Sequence, residues 1–217
     1  MPKKIIIFIF LIIIFVGTFF VYKNKFGYCS KYTCSIEIKM SEEEYNEKLG
    51  LIREAKENIK KDPGSVNDYL SLGLYYKSIG ELGKAKDVYL DGVKVNDEFY
   101  LYYLNLGNVL VDMGDYAGAR EFYLKAIASK ELEASNYLKL VDLLFYKIKA
   151  PDKEIRDVYL EGLTKTRNDL NLCMSYASYL ENIKEYSAAY DTWRICLTKD
   201  PDNEAIKELI KELKSKL

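Results

Sequence analysis

The chain of 217 residues contains no histidine, which removes the commonest general base at neutral pH and the commonest metal ligand. It also lacks the phosphate loop G-x-x-x-x-G-K-[ST]. The one stretch that approaches it, Gly80-Glu81-Leu82-Gly83-Lys84, has the wrong spacing. Cysteine is scarce, and none of it forms a redox C-x-x-C: Cys29 and Cys34 are spaced C-x4-C, and Cys173 and Cys196 stand far from them. With no histidine to complete a ligand set, no zinc site is expected. Acidic residues are plentiful, but runs such as Glu42-Glu43-Glu44 read as the amino terminus of a helix and as solvated faces. Neither catalysis nor a cofactor nor a metal is expected.

Charge is nearly balanced overall at −1 but unevenly distributed. Residues 1–40 carry Lys3, Lys4, Lys23, Lys25, Lys31 and Lys39 against Glu37, a balance of +5. Subtracting these from the totals of 32 basic and 33 acidic residues leaves 26 basic and 32 acidic, a balance of −6. An acidic body is a poor binder of phosphate backbones, so a nucleic-acid partner is not expected.

The long apolar run lies at the amino terminus. From Ile5 to Tyr22 it is broken only by Gly17 and Thr18, and lysines flank it on both sides. As a helix it would span about 27 Å, close to the hydrocarbon thickness of a bilayer. No small-x-small cleavage site follows, and Tyr28 before Cys29 does not suit a lipoprotein acylation box. The expectation is an uncleaved single-pass anchor within residues 1–25 followed by a juxtamembrane linker at 26–40. The lysine balance across the run leaves orientation near a tie. A short amino-terminal tail and the Cys29/Cys34 pair, useful as a disulfide only in an oxidising compartment, favour the remainder on the extracytoplasmic side.

Beyond residue 40 the pattern is helical. Ser41 and Glu44 fit a capping box, and Tyr45, Leu49, Ile52, Ala55 and Ile59 recur at near-helical spacing until Asp62-Pro63-Gly64, giving a packing helix within 41–65. At the other end Ile206, Leu209, Ile210, Leu213 and Leu217 share one face of a helix in 204–217, with lysines and glutamates opposite. This fits a terminal cap.

Between these helices a pattern recurs. Tyr69, Tyr103 and Tyr137 are separated by 34 and 34 residues, and Tyr89, Tyr123, Tyr159 and Trp193 by 34, 36 and 34. Small residues recur in step: Gly73, Gly107 and Ala177, then Ala85, Ala119 and Ala189. They stand where two antiparallel helices would approach most closely, while the large aromatics fill the space between layers. A single unit cannot bury its own face, so stacking supplies the core. Four units follow, at 66–99, 100–133, 134–169 and 170–203. Gly80 and Gly114 fall at the inter-helix turns of the first two. The third departs most, with Val141 and Ile155 at the contact, Ile148 at the turn and two inserted residues near Ala150-Pro151. A local change of pitch is expected there.

Tyr69, Leu72, Gly73 and Tyr76, then Ala85 and Tyr89, repeated as Tyr103, Leu106, Gly107, Leu110, Ala119 and Tyr123, resemble the tetratricopeptide repeat signature W-x2-L-G-x2-Y, A-x3-F. Tyrosine replaces Trp and Phe, and the terminal Pro is kept only as Pro201. The resemblance implies an all-α fold, a right-handed α-α superhelix in which the first helix of each unit lines a concave groove. Placed on this sequence, the groove would take Asn67, Leu70, Leu74 and Lys77 from unit one and Leu101, Leu104, Asn105, Asn108 and Asp112 from unit two. Unit three would add Leu138, Lys139, Asp142, Phe145 and Tyr146, and unit four Asn171, Met174, Ser178 and Asn182. Leu70, Leu104, Leu138 and Met174 share one repeat position and would form an apolar row open to a partner. Some members clamp a carboxylate with Lys, Asn and Arg. Asn105 and Lys139 match two of those five positions, while Leu70, Leu74 and Ser135 replace the rest, so an extended apolar or amphipathic segment is the better expectation.

Cys173 and Cys196 occupy buried repeat positions and read first as small core residues. The alternative is a disulfide between the two helices of unit four, if their Cα atoms lie within about 7 Å. Taken together, the sequence predicts a membrane-anchored interaction scaffold that binds a peptide or protein, with self-association open. The competing reading is an envelope redox or maturation accessory acting through Cys29 and Cys34.

Overall fold

The computed structural model describes residues 40–217. The expected anchor, and the linker with Cys29 and Cys34, lie outside them. Among the described residues no helix is long and apolar enough to cross a membrane.

Ten α-helices and one π-helical segment make up this part of the chain, with no strand among the described residues. The first, α1 (Glu42–Lys61), begins at the capping box: the Glu44 amide donates to Ser41 Oγ at 3.1 Å and the Ser41 amide to Glu44 Oε2 at 2.9 Å. Two amides left unpaired at a helix start are thereby each satisfied by the other residue's side chain. Four helical hairpins follow: α2 (Val66–Ser78) with α3 (Leu82–Val95), α4 (Tyr100–Asp112) with α5 (Tyr116–Ser129), α6 (Ala134–Asp142) with α7 (Asp152–Lys165), and α8 (Leu170–Asn182) with α9 (Tyr186–Leu197). The last helix, α10 (Glu204–Lys214), packs on α9; Asn203 caps it, its Oδ1 accepting from the Ile206 amide at 3.1 Å. Ile206 and Leu213 are buried on α10, whereas Leu217 lies past its end and is exposed.

Every helix packs on its successor, so the chain is an all-helical solenoid. Consecutive first helices also touch, α2 with α4 and α6 with α8, while no two consecutive second helices pack as closely. The stack is therefore tighter on the first-helix side, which is its inner face.

Within a hairpin the small and large positions meet directly. A β-carbon on Gly73 would lie 2.3 Å from Tyr89 Cε1, and one on Gly107 the same distance from Tyr123 Cε1. Between hairpins the relation recurs with the order reversed: a β-carbon on Gly92 would meet Tyr102 at 2.5 Å, and one on Gly162 would meet Leu172 of the next hairpin at 2.8 Å as well as Tyr137 of its own at 2.7 Å. Tyr89, Tyr102 and Tyr137 are fully buried. Two clusters of apolar side chains form the core, one built on α1–α4 and the other on α4–α10. Helix α4 joins them, giving Tyr102, Leu106 and Val109 to the first and Leu104 and Leu110 to the second.

The two inserted residues of unit three lie inside a helix. Helices α2, α4 and α8 each have 13 residues. In unit three α6 contributes 9 and continues for 6 more as a π-helical segment, Leu143–Ile148, making 15 in all. In the other units the residue before the second helix donates its amide to an equivalent carbonyl: Glu81 to Tyr76, Asp115 to Leu110 and Glu185 to Leu180, each at 2.9 Å. The corresponding residue here is Pro151, which has no N–H to give. Ala150 takes over, donating to the Leu144 carbonyl at 2.9 Å, and the helix widens to bring it there. Gly80 and Gly114 turn with φ of 78°, whereas Lys149 and Lys184 adopt left-handed φ of 58° and 64° in the other two turns.

Candidate functional site: the inner face of the first helices

The row Leu70, Leu104, Leu138 and Met174 is not an open track. Leu104 is only 9% exposed and belongs to the core, and Leu70, Leu138 and Met174 are half-buried against it. This corrects the expectation of an exposed apolar row: the position is drawn into the apolar core of the stacked hairpins. Leu101 and Phe145 are likewise half-buried on the core, and Phe145 meets Tyr179 edge-on with ring centroids 5.7 Å apart.

Solvent reaches the position four residues further along each first helix, where Leu74, Asn108, Asp142 and Ser178 stand in register. Leu74, Asp142 and Ser178 are exposed and Asn108 half-buried, so after one leucine this open row is polar. Asn67, Lys139, Tyr146, Asn171 and Asn182 are exposed beside it, and Lys77 and Asp112 are half-buried. Lys77 Nζ pairs with Asp112 Oδ2 at 3.1 Å, tying α2 to α4. Asn105 is turned to its own helix, its Nδ2 donating to the Leu101 carbonyl at 2.8 Å. Ser135 Oγ donates to Glu133 at 3.1 Å. The match of Asn105 and Lys139 to two carboxylate-clamp positions therefore leaves only Lys139 with its polar group turned outward.

The tyrosines behind this wall send their hydroxyls toward it. Tyr123 donates to Asn108 Oδ1 at 2.9 Å. In unit three the equivalent Tyr159 does not bond the equivalent Asp142; its hydroxyl lies 2.9 Å from Ser175 Oγ in the next unit. Burial pushes Tyr159 up to about 12, its bond to Ser175 opposing and the nearby Asp142 adding. Tyr123 is raised in the same way by burial, with Asp112 and Asp142 adding. Asp142 itself is held above the usual carboxylate range by desolvation, which Lys139 only partly offsets. An acid that is exposed and yet desolvated is what a concave wall produces, because protein surrounds it on several sides while one side stays open.

The cysteines of unit four are bonded. Cys173 on α8 and Cys196 on α9, both fully buried, form a disulfide with Cα atoms 5.7 Å apart. This corrects the first reading of them as free core thiols: the small residues that close the hairpin bring the two backbones within bridging distance. The bond is enclosed in the core, away from the inner face.

Comparison with known proteins agrees with this geometry. The tetratricopeptide repeat family model matches residues 100–131, the unit whose small and large positions follow the pattern most closely. The fold is a tetratricopeptide-repeat solenoid. Among solved structures, YrrB, described as a tetratricopeptide-repeat protein with an unusual peptide-binding site, is 17% identical, covers 74% of this chain and 82% of its own, and superposes with a TM-score of 0.52. MamA is 20% identical over 77% of this chain and 99% of its own, with a TM-score of 0.57. PilF of Pseudomonas aeruginosa is 15% identical over 76% and 72%, with a TM-score of 0.51. No curated protein matches the sequence.

Proposed function

We propose that the chain is a tethered interaction scaffold: residues 5–22 hold it at a membrane, the repeats stand on the extracytoplasmic side, and a peptide or protein segment lies along the inner face of the first helices. The observation that carries this reading is the wall itself, where Leu74, Lys139, Asp142, Tyr146, Asn171 and Ser178 of units one, three and four are exposed although the core does not need them. A repeat scaffold that only had to stack would gain nothing from an inner surface of such mixed character. The likeness to a solenoid with a peptide-binding site supports a peptide as the occupant. The buried Cys173–Cys196 bond supports the extracytoplasmic placement, because structural disulfides persist in oxidising compartments.

A photo-crosslinking amino acid placed singly at Leu74, Tyr146 or Ser178, and for comparison at the exposed second-helix residues Leu124 or Leu160, tests this in native membranes. The expected result is one discrete adduct shared by the first three positions and absent from the other two. The same adduct from Leu124 and Leu160 would place recognition on the outer face. A membrane-impermeant protease that reaches the repeats only after lysis would reverse the orientation.

A further inference from the structure

We infer that the inner wall of unit three recognises a cationic side chain, a lysine or arginine carried by the peptide that occupies the groove. This rests on the groove reading and specifies the chemistry of its occupant.

Two independent observations converge on one place. The first is Asp142, an exposed residue whose carboxylate makes neither a hydrogen bond nor an ion pair. The hydroxyl that satisfies its counterpart Asn108 in unit two comes from Tyr123, but the equivalent Tyr159 bonds Ser175 instead. Lys139, one turn back, forms no ion pair with it within 4.0 Å. The second is Tyr146, the most exposed aromatic of the described residues at 60%. Several buried or half-buried rings of this solenoid carry one of the protein's own cations: Lys56 and Lys84 over Tyr76, Lys125 over Phe122, Lys130 over Tyr100, Arg194 over Tyr190 and Lys216 over Tyr186. Tyr146 has no such cation. Its ring is braced edge-on by Phe145, with centroids 4.8 Å apart.

Asp142 and Tyr146 are four residues apart across the junction of α6 with the π-helical segment, a spacing that puts both on one face. A carboxylate with no hydrogen bond or ion pair, influenced by Lys139 only through space, and an aromatic ring with no cation over it thus share one face of the open wall. A carboxylate pairs with an ammonium or guanidinium, and the negative face of a ring attracts the same group. One cation satisfies both, and arginine fits best because its planar group stacks and pairs at once. The net charge of −6 over residues 41–217, from 26 basic and 32 acidic side chains, draws such a peptide in and disfavours an acidic one.

The test uses the full chain in detergent micelles on an array of random peptides that also carries tiles of residues 23–39. In the expected result, bound peptides share a lysine or arginine at one position, citrulline there weakens binding roughly tenfold, and Asp142→Asn or Tyr146→Leu removes the preference while flanking contacts keep residual binding. Binding with no cation preference, or with a preference both variants retain, overturns this inference and leaves the groove reading standing. The tile of residues 23–39 binding above all others, with the same dependence on Asp142, would make the occupant the chain's own lysine-bearing segment and overturn the assignment to a partner. No bound peptide at all overturns the groove reading together with this one.

Discussion

The Tyr123 ring fills the space that a β-carbon on Gly107 would need, with Cε1 2.3 Å from that position. Tyr123 is 3% exposed and its hydroxyl is held by Asn108, so the ring has little room to yield. Gly107→Ala is expected to destabilise the solenoid by about 1–3 kcal/mol through overpacking. Gly50, in the interior of α1, has nothing within 4 Å of such a carbon, and Gly50→Ala is expected to stabilise by about 0.5–1 kcal/mol. Denaturant titration of the two variants checks the opposition in sign. Equal effects would mean that the helix contact has been put in the wrong place.

Leu104→Glu and Tyr146→Glu separate the covered position from the open one. Leu104 lies in the core, so a charge there is expected to cost at least ~3 kcal/mol. Tyr146→Glu is expected to stay within about 0.5 kcal/mol of the parent. Thermal unfolding followed by far-UV circular dichroism distinguishes them.

How far the sequence reveals this protein follows from what each feature depends on. The repeat register is legible because a glycine and the aromatic that covers it sit at fixed spacing, Gly73 with Tyr89 and Gly107 with Tyr123. The insertion in unit three is visible as a change from 34 to 36 residues, but whether it lengthens a turn or a helix depends on which amide reaches the Leu144 carbonyl. Pro151 rules itself out as donor, and the consequence appears only in the backbone. The helical period places Leu104 on the first-helix face yet does not say whether that part of the face is open, because the closeness of neighbouring helices decides it. The Cys173–Cys196 bond is of the same kind, resting on a backbone separation that residue spacing leaves open.

That disulfide joins residues 23 apart in sequence, and closing such a loop contributes about 3 kcal/mol. The Cys173→Ala/Cys196→Ala double variant is expected to lose about that amount. Protein denatured without reductant should show neither thiol to alkylating reagents by mass spectrometry. Full alkylation of both would contradict the bond.

Burial pushes Tyr102, Tyr137, Tyr159 and Tyr179 up to about 12, against about 10 in an unfolded chain. Because the folded state holds these protons more tightly, their stabilising effect is complete below about pH 10 and is lost as pH rises through about 12. Tyrosinate absorbance from these residues should therefore appear together with loss of the helical signal. A gradual titration with the helices intact would contradict the burial.

Desolvation raises Asp142, so its charged form disfavours folding, and stability should rise as pH falls through its folded value. At neutral pH Asp142→Asn is expected to match or slightly exceed the parent in thermal stability, within about 0.5 kcal/mol. A marked loss would show that the carboxylate has a structural partner.

The most direct measurement of the central claim is hydrogen exchange of the full chain, alone and bound to the partner recovered through a Tyr146 crosslink. Occupation of the inner face predicts added protection on α2, α4, α6 and α8 and on the segment Leu143–Ile148, with α3, α5, α7 and α9 unchanged. Added protection confined to α3, α5, α7 and α9 would contradict it.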